Sequence, residues 1–282
     1  MARNDRVPIR PWLLPLRPDD PYSEPWRKLP LVTIAVVALC TGVWLLQVVH
    51  GVPVMGARAP ALIAWGGFVP LYVLTGQAWR LVTALFVHAD AVHLGLNMLV
   101  FGATANQVER ALGAWRTLAI FLVGGILANA GSTWWIELNA TPQHFGRLLT
   151  VMVGSAGGVM ALISAALVPS LLGSLGVQPW ADLHGRRIDT AVLWPIAINV
   201  GVCFVIPHWD PASNIAGSLA GLAIGAILLV APAHQAAAAT ALRFAAIGLL
   251  LAACVHGVSN SGDRDFLARL RLGYDDWRIT HP

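Results

Sequence analysis

Charge is what this sequence lacks. Of its 282 residues, 11% are charged and 57% are hydrophobic, where a soluble domain carries about a quarter charged residues. So few charges cannot clothe a globular surface. With a mean hydropathy of +0.67, the composition excludes an ordinary soluble enzyme and indicates a polytopic membrane protein. Lysine is nearly missing, Lys28 being the only one. The net charge of +4 and the pI near 9.4 do not imply a nucleic-acid partner, because the basic residues gather in loops beside hydrophobic runs, as membrane topology requires. Cysteine is scarce as well. Cys40, Cys203 and Cys254 fall inside apolar runs without metal-type spacing, and read as small buried hydrophobes rather than a disulfide pair.

What is present in quantity is the apolar run. Stretches of about 20 residues predict seven spans: Leu31–Val49, Ala91–Val108, Arg116–Gly131, Leu149–Leu172, Thr190–Ile206, Ser213–Ala231 and Thr240–His256. The second is the least hydrophobic, since it holds His93 and Asn97. Residues 1–30 form a Pro- and Arg-rich arm with no apolar core and no cleavage signal, so it is not a signal peptide; its prolines predict an extended, partly disordered segment. The positive-inside rule keeps this arm cytoplasmic, and alternation then puts Arg110, Arg116, Arg186 and Arg187 on the same side. The membrane domain covers 31–257, and a charge-balanced tail, 258–282, lands outside. The apolar loop joining the first two spans is too broken to cross and is expected to lie in the interface as short pieces. It carries Trp79-Arg80, a pair suited to the headgroup layer.

Polar side chains at membrane depth are costly and mark functional candidates. Three groups stand out. His93 and Asn97 are spaced i, i+4 and share a helix face, so both can donate toward one point where negative charge develops. His88 and Asp90 lie just before them. The plainer reading is a helix-packing hydrogen-bond cluster; a metal held by His88, Asp90 and His93 stays open, without a recognised ligand motif. In VMVGSAGGVM (151–160), Gly154, Gly157 and Gly158 thin one side of the fourth span, for close packing at the least. In the sixth, Gly217, Gly221 and Gly225 recur every four residues as a ladder for tight pairing, with Asn214 a turn before.

Taken together these segments resemble the rhomboid intramembrane serine protease family. Trp79-Arg80 is similar to its WR pair, His93-x-x-x-Asn97 to its HxxxN, and Glu109-Arg110-Ala-Leu-Gly113 to its ExxxG. Gly154-x-x-Gly157 is similar to its GxSG, and the sixth-span glycines follow its spacing. The core motifs run from 79 to 225, about half of the chain. The resemblance implies an all-α membrane protein with a six-helix core and a C-terminal seventh transmembrane helix, at about 240–256. It implies no cofactor and no metal, the lipid bilayer and a transmembrane segment as partners, and a bacterial-type inner membrane as location. It also implies a serine–histidine dyad, with the HxxxN residues holding the oxyanion.

Carried over residue by residue, the dyad is missing. Ala156 stands at the serine's place, with Ser155 beside it at the variable position, and Asn214 stands at the histidine's place. A one-residue shift on a helix turns a side chain by about 100°, and a neutral asparagine has no basic lone pair. The expectation is therefore a catalytically inactive pseudoprotease that binds transmembrane clients. The alternative is an intramembrane serine endopeptidase whose dyad was replaced to trap it, a purpose for which one change would suffice. Site-lining or structural roles are expected for Trp79, Arg80, His88, Glu109, Arg110, Gly154, Ser155, Gly157, Gly217, Gly221 and Gly225.

Overall fold

A computed structural model describes residues 29–139, 145–174, 210–229, 237–259 and 264–280. The arm 1–28, the predicted fifth span at Thr190–Ile206, Arg186, Arg187 and Cys203 lie outside them. Among the described residues the protein is helical and has no named strand.

The chain enters through α1 (Leu31–Val49). Its start is capped from a distance: the Glu109 carboxylate accepts hydrogen bonds from Val32 N at 2.9 Å, Thr33 N at 2.8 Å and Thr33 Oγ1 at 2.8 Å. A helix leaves its first four N–H groups without intrahelical partners, and in an apolar setting each such orphan is expensive. The buried Glu109 supplies what the local sequence, which begins Pro30-Leu31, cannot. Glu109→Ala is therefore expected to destabilise the protein by about 2 kcal/mol, read as a lower midpoint of unfolding in mixed micelles. An unchanged midpoint would deny the carboxylate its capping role.

The apolar loop that follows folds into three short helices, α2 (Ala59–Ala64), α3 (Pro70–Leu74) and α4 (Arg80–Thr83). It is not peripheral. Phe68, Leu71, Tyr72, Val73, Leu74 and Leu81 are buried in a core of their own. The buried Arg80 is its internal fastener, with Nη1 donating to Ile63 O and Gly67 O at 2.8 Å each and Nε donating to Gln77 Oε1 at 2.6 Å.

Asp90 opens α5 (Ala91–Leu112), its side chain accepting from His93 N at 2.7 Å, as an N-cap should. At ~1.5 Å per residue this helix is long enough for a ~30 Å hydrocarbon layer. Gly113, at φ 86°, is the single residue between it and α6 (Ala114–Leu138); that backbone conformation is costly for any side chain with a Cβ.

The structure corrects the start of the fourth span. Leu149 closes a 3₁₀ turn, Phe145–Leu149, and Met152 pairs antiparallel with Phe68, N to O at 2.9 and 2.8 Å in the two directions. Gly154 takes φ 107°, and only then does α7 (Ala156–Ser174) begin. The segment 151–155 reads as apolar because Val151 and Met152 pack, half-buried, against the loop's core, not because it is helical.

Next in the described chain come α8 (Pro211–Leu229), α9 (Ala237–Ser259) and α10 (Arg264–Thr280). The most intimate packing joins α7, α8 and α6. A Cβ built on Gly217 would run into the Gly157 carbonyl, one on Gly221 into Ala161 O and Cα, and one on Gly225 would sit 3.0 Å from Ala165 Cα. The sixth-span ladder thus meets the fourth-span helix, backbone against backbone. Among the described residues, α1, α6 and 211–228 are long and apolar enough to cross a membrane. The tail from 258 is not merely a charged extension: most of it is α10, packed on α3.

Candidate functional site

The N-terminal ends of α5, α7 and α8 meet around one cavity of about 660 Å³. Its polar lining includes Asp90, His93, Asn129, Thr150, Asp210, Ser213 and Asn214, and Gly154, Ala156 and Gly157 form part of its wall.

Local sequence explains why these groups arrive together. The Asp90 cap starts α5 three residues before His93 and so brings that imidazole to the cavity rim. Asn97, a turn further in and buried, lies behind it, its Nδ2 donating to His93 O at 3.0 Å. Both reach Gly154. A Cβ there would lie 2.7 Å from His93 Nε2 and 3.5 Å from Asn97 Nδ2, so any other residue would displace the imidazole as well as strain the backbone. Gly154 N donates to Ala84 O at 2.9 Å, which ties this turn to the interfacial loop.

Ser155 and Ala156 part company at this turn. Ser155 is fully buried, and its Oγ donates to Asn97 Oδ1 at 3.3 Å, away from the cavity. Ala156 is the first residue of α7 and faces the cavity. Asn214, in the first turn of α8, is buried and lines the same space. Gly157 lets α8 come close: a Cβ on it would be 2.8 Å from Ser213 Oγ. Replacing Ser155 by Ala should leave cavity chemistry unchanged and lower stability by about 1 kcal/mol or less, as for one long neutral hydrogen bond. A drop in unfolding midpoint equivalent to several kcal/mol would contradict the geometry.

His88 sits in the turn before α5, almost inaccessible to solvent, with its ring edge-on to His93 at 5.3 Å between centroids. Burial, helped by the neighbouring His93, pushes its pKa down to about 3, so it is neutral at ordinary pH and a poor base. Among the described residues no three His, Cys, Asp or Glu side chains come together to hold a metal ion, and His88, Asp90 and His93 do not form such a group. Trp79 is half exposed beneath the Arg80 guanidinium, 4.5 Å from ring centroid to Cζ. Glu109, Arg110, Gly221 and Gly225 lie away from the cavity lining. Glu109 and the glycines hold helices together, while Arg110 is exposed, its Nε donating to Asn106 Oδ1 at 2.8 Å.

The structure adds residues that the sequence reading did not select. Asp210 lines the cavity a turn before Asn214; its carboxylate accepts from Ala212 N at 3.0 Å and from Ser132 Oγ. Asn129 lines it from α6 and donates from Nδ2 to Leu81 O at 2.9 Å. Asn129 lies inside the third apolar run and Ser132 just past its predicted end, both within α6, a signal of the same kind as His93 and Asn97.

A family model described as the rhomboid domain matches residues 75–231. The chain is 28% identical over 141 residues to rhomboid protease AarA of Providencia stuartii, covering 49% of this chain and 50% of that protein. It is 25% identical over 199 residues to rhomboid protease GluP of Bacillus subtilis, covering 71% and 35% respectively. With RHOMBOID-like protein 5 of Arabidopsis thaliana it shares 26% identity over 182 residues, 64% of this chain and 53% of that one. The chain thus spans about half, or less, of the length of these relatives.

Proposed function

Because this chain belongs to the rhomboid family, a family of membrane proteins whose relatives above include two called proteases, we propose that it keeps the family's cavity without the family's reaction and holds transmembrane clients there. The observation that carries this reading is the pair Ala156 and Asn214, which line one cavity at the mouths of α7 and α8. Peptide hydrolysis by a dyad needs a hydroxyl to attack the carbonyl carbon and a base to take its proton. An alanine methyl has no oxygen to form that bond, and an uncharged amide has no lone pair basic enough for the proton. His93 remains at the rim as a polar contact, with Asn97 behind it. In this reading the polar groups on the wall of a mainly apolar pocket receive a client helix that has frayed, hydrogen-bonding the backbone groups that fraying exposes.

Seven crossings and a cytoplasmic arm fit this reading. The Glu109 cap puts the start of α1 at the end of α5 remote from the cavity. Val258, near the end of α9, is buried with Leu71 and Tyr72 of the loop on the cavity's side. A chain that starts at one surface and finishes at the other crosses an odd number of times. The basic charge of the arm favours a cavity facing outward, and an inner membrane of bacterial type belongs to the same proposal.

The test is capture. Purified protein in nanodiscs, carrying a photo-cross-linking residue in place of Met152, is mixed with a single-span peptide whose cavity-side half is weakened by Gly and Pro. Cross-linking is expected with this peptide and not with a poly-leucine span. Filling the cavity with Ala156→Leu should reduce it about tenfold, the effect of roughly 1.4 kcal/mol in affinity. Cleavage of the peptide by the unaltered chain would sink the reading in favour of an active endopeptidase.

A further inference from the structure

The loop that walls the cavity is held from outside by α10, and this helix has more than one kind of face. Its seam toward the loop is polar as well as apolar. Leu267 is buried in the loop's own core. Arg271 Nη1 donates to Thr75 O at 3.2 Å and to Thr75 Oγ1 at 3.1 Å, and its guanidinium lies 5.0 Å from the Tyr72 ring centroid. The Tyr72 hydroxyl donates to the Asp275 carboxylate, which Arg271 also approaches at 3.6 Å. Four residues before Tyr72, Phe68 pairs with Met152, itself two residues before Gly154. Among the described residues none of α10 lines the cavity, so the influence of this seam passes through the loop.

Turning the helix by 100° per residue puts Phe266, Gly273 and Trp277 on one flank of that seam, with Leu270 between flank and seam packed on the loop's core, while Asp265, Arg269, Leu272 and Asp276 lie on the far side. Phe266 is 38% and Trp277 54% exposed. Only four residues, 260–263, separate α10 from the end of the apolar α9. They reach at most ~14 Å, so α10 must lie within reach of the membrane surface where α9 ends. A helix with an apolar flank bearing Trp and Phe, a charged face, and a tether that short has the pattern of an interfacial helix.

We propose that α10 is an interfacial strap. Its Arg271–Asp275 seam fastens the loop 68–75 beside the cavity, and its Phe266–Trp277 flank seats in the leaflet on that side, a lipid surface being the partner it fits. The proposal does not depend on what the cavity binds.

Two measurements on the full chain in phosphatidylcholine vesicles test it. A nitroxide is placed through Gly273→Cys, where nothing lies within 4 Å, or through Asp276→Cys, in a chain with its three native cysteines changed to Ala. Collisions with oxygen should dominate at 273 and with a water-soluble nickel chelate at 276. Equal nickel access at both positions overturns the lipid contact. Separately, Tyr72→Phe with Arg271→Met removes the seam's polar bonds while keeping its bulk. Amide exchange across 68–75 should then rise about tenfold, with exchange in α7 as the control for global folding. Unchanged exchange in 68–75 overturns the strap, and so does an equal rise in α7.

Discussion

Installing Ala156→Ser and Asn214→His together is expected to raise cleavage of a single-span test substrate from background by at least about three orders of magnitude. Either change alone should leave cleavage near background, because members of a nucleophile–base pair act as a unit and their effects are far from additive. Geometry makes the experiment informative. Both positions line one cavity at the mouths of adjoining helices, and Gly157 and Gly217 allow the two helices to approach. Ala156 opens α7, whose first-turn N–H groups have no intrahelical acceptors and could receive an oxyanion together with His93. A serine-directed fluorophosphonate should label the double variant and not the parent chain. Folded double variant that neither cleaves nor takes the label would mean that the cavity's shape has left the reaction behind.

The second large effect concerns the seam between α7 and α8. Gly221→Val should cost about 3 kcal/mol or abolish folding, since the added Cβ meets Ala161 O and Cα, backbone that cannot step aside without parting the helices. Gly248→Val in α9 is the control. Nothing lies within 4 Å of that position, and valine and glycine differ little in helix propensity, so its effect should stay within about 0.5 kcal/mol. Equal midpoints for the two variants, measured by unfolding in mixed micelles, would show that the glycine ladder is not what joins these helices.

Much of this architecture is legible in sequence because periodicity and polarity speak for themselves. α1 begins and ends where its apolar run does, and α5 is announced by an Asp cap followed by a helix-spaced His and Asn. The approach of Gly217 and Gly221 to α7 follows from glycines every four residues. The start of α7 was not legible: Val151 and Met152 are as apolar as a span, and only pairing with Phe68, 84 positions earlier, makes them extended. The loop's solidity was equally hidden, since Arg80 reads as a surface charge until its three acceptors are seen. Nor does charge balance in residues 258–282 reveal that Asp275 and Arg271 are spent on Tyr72 and Thr75. The role of Asp210 as a cap for α8 appears only with Ala212 N and Ser132 in view.

The Glu109 cap also sets where motion can occur. It joins the last turn of α5 to the first turn of α1, and four residues later Gly113 turns α5 directly into α6. Three helices are thus gathered at the surface remote from the cavity, by a buried carboxylate and a one-residue corner. On the cavity's side α5 and α6 are tied to the loop and to the start of α7 by side chains and a few backbone bonds, among them Ala91 N to Val54 O, while the loop itself holds 152–154 through Phe68–Met152 and Ala84–Gly154. For the client proposed above, the arrangement favours a pivoting movement, small at the Glu109 end and growing toward His93, over a sliding of whole helices past one another.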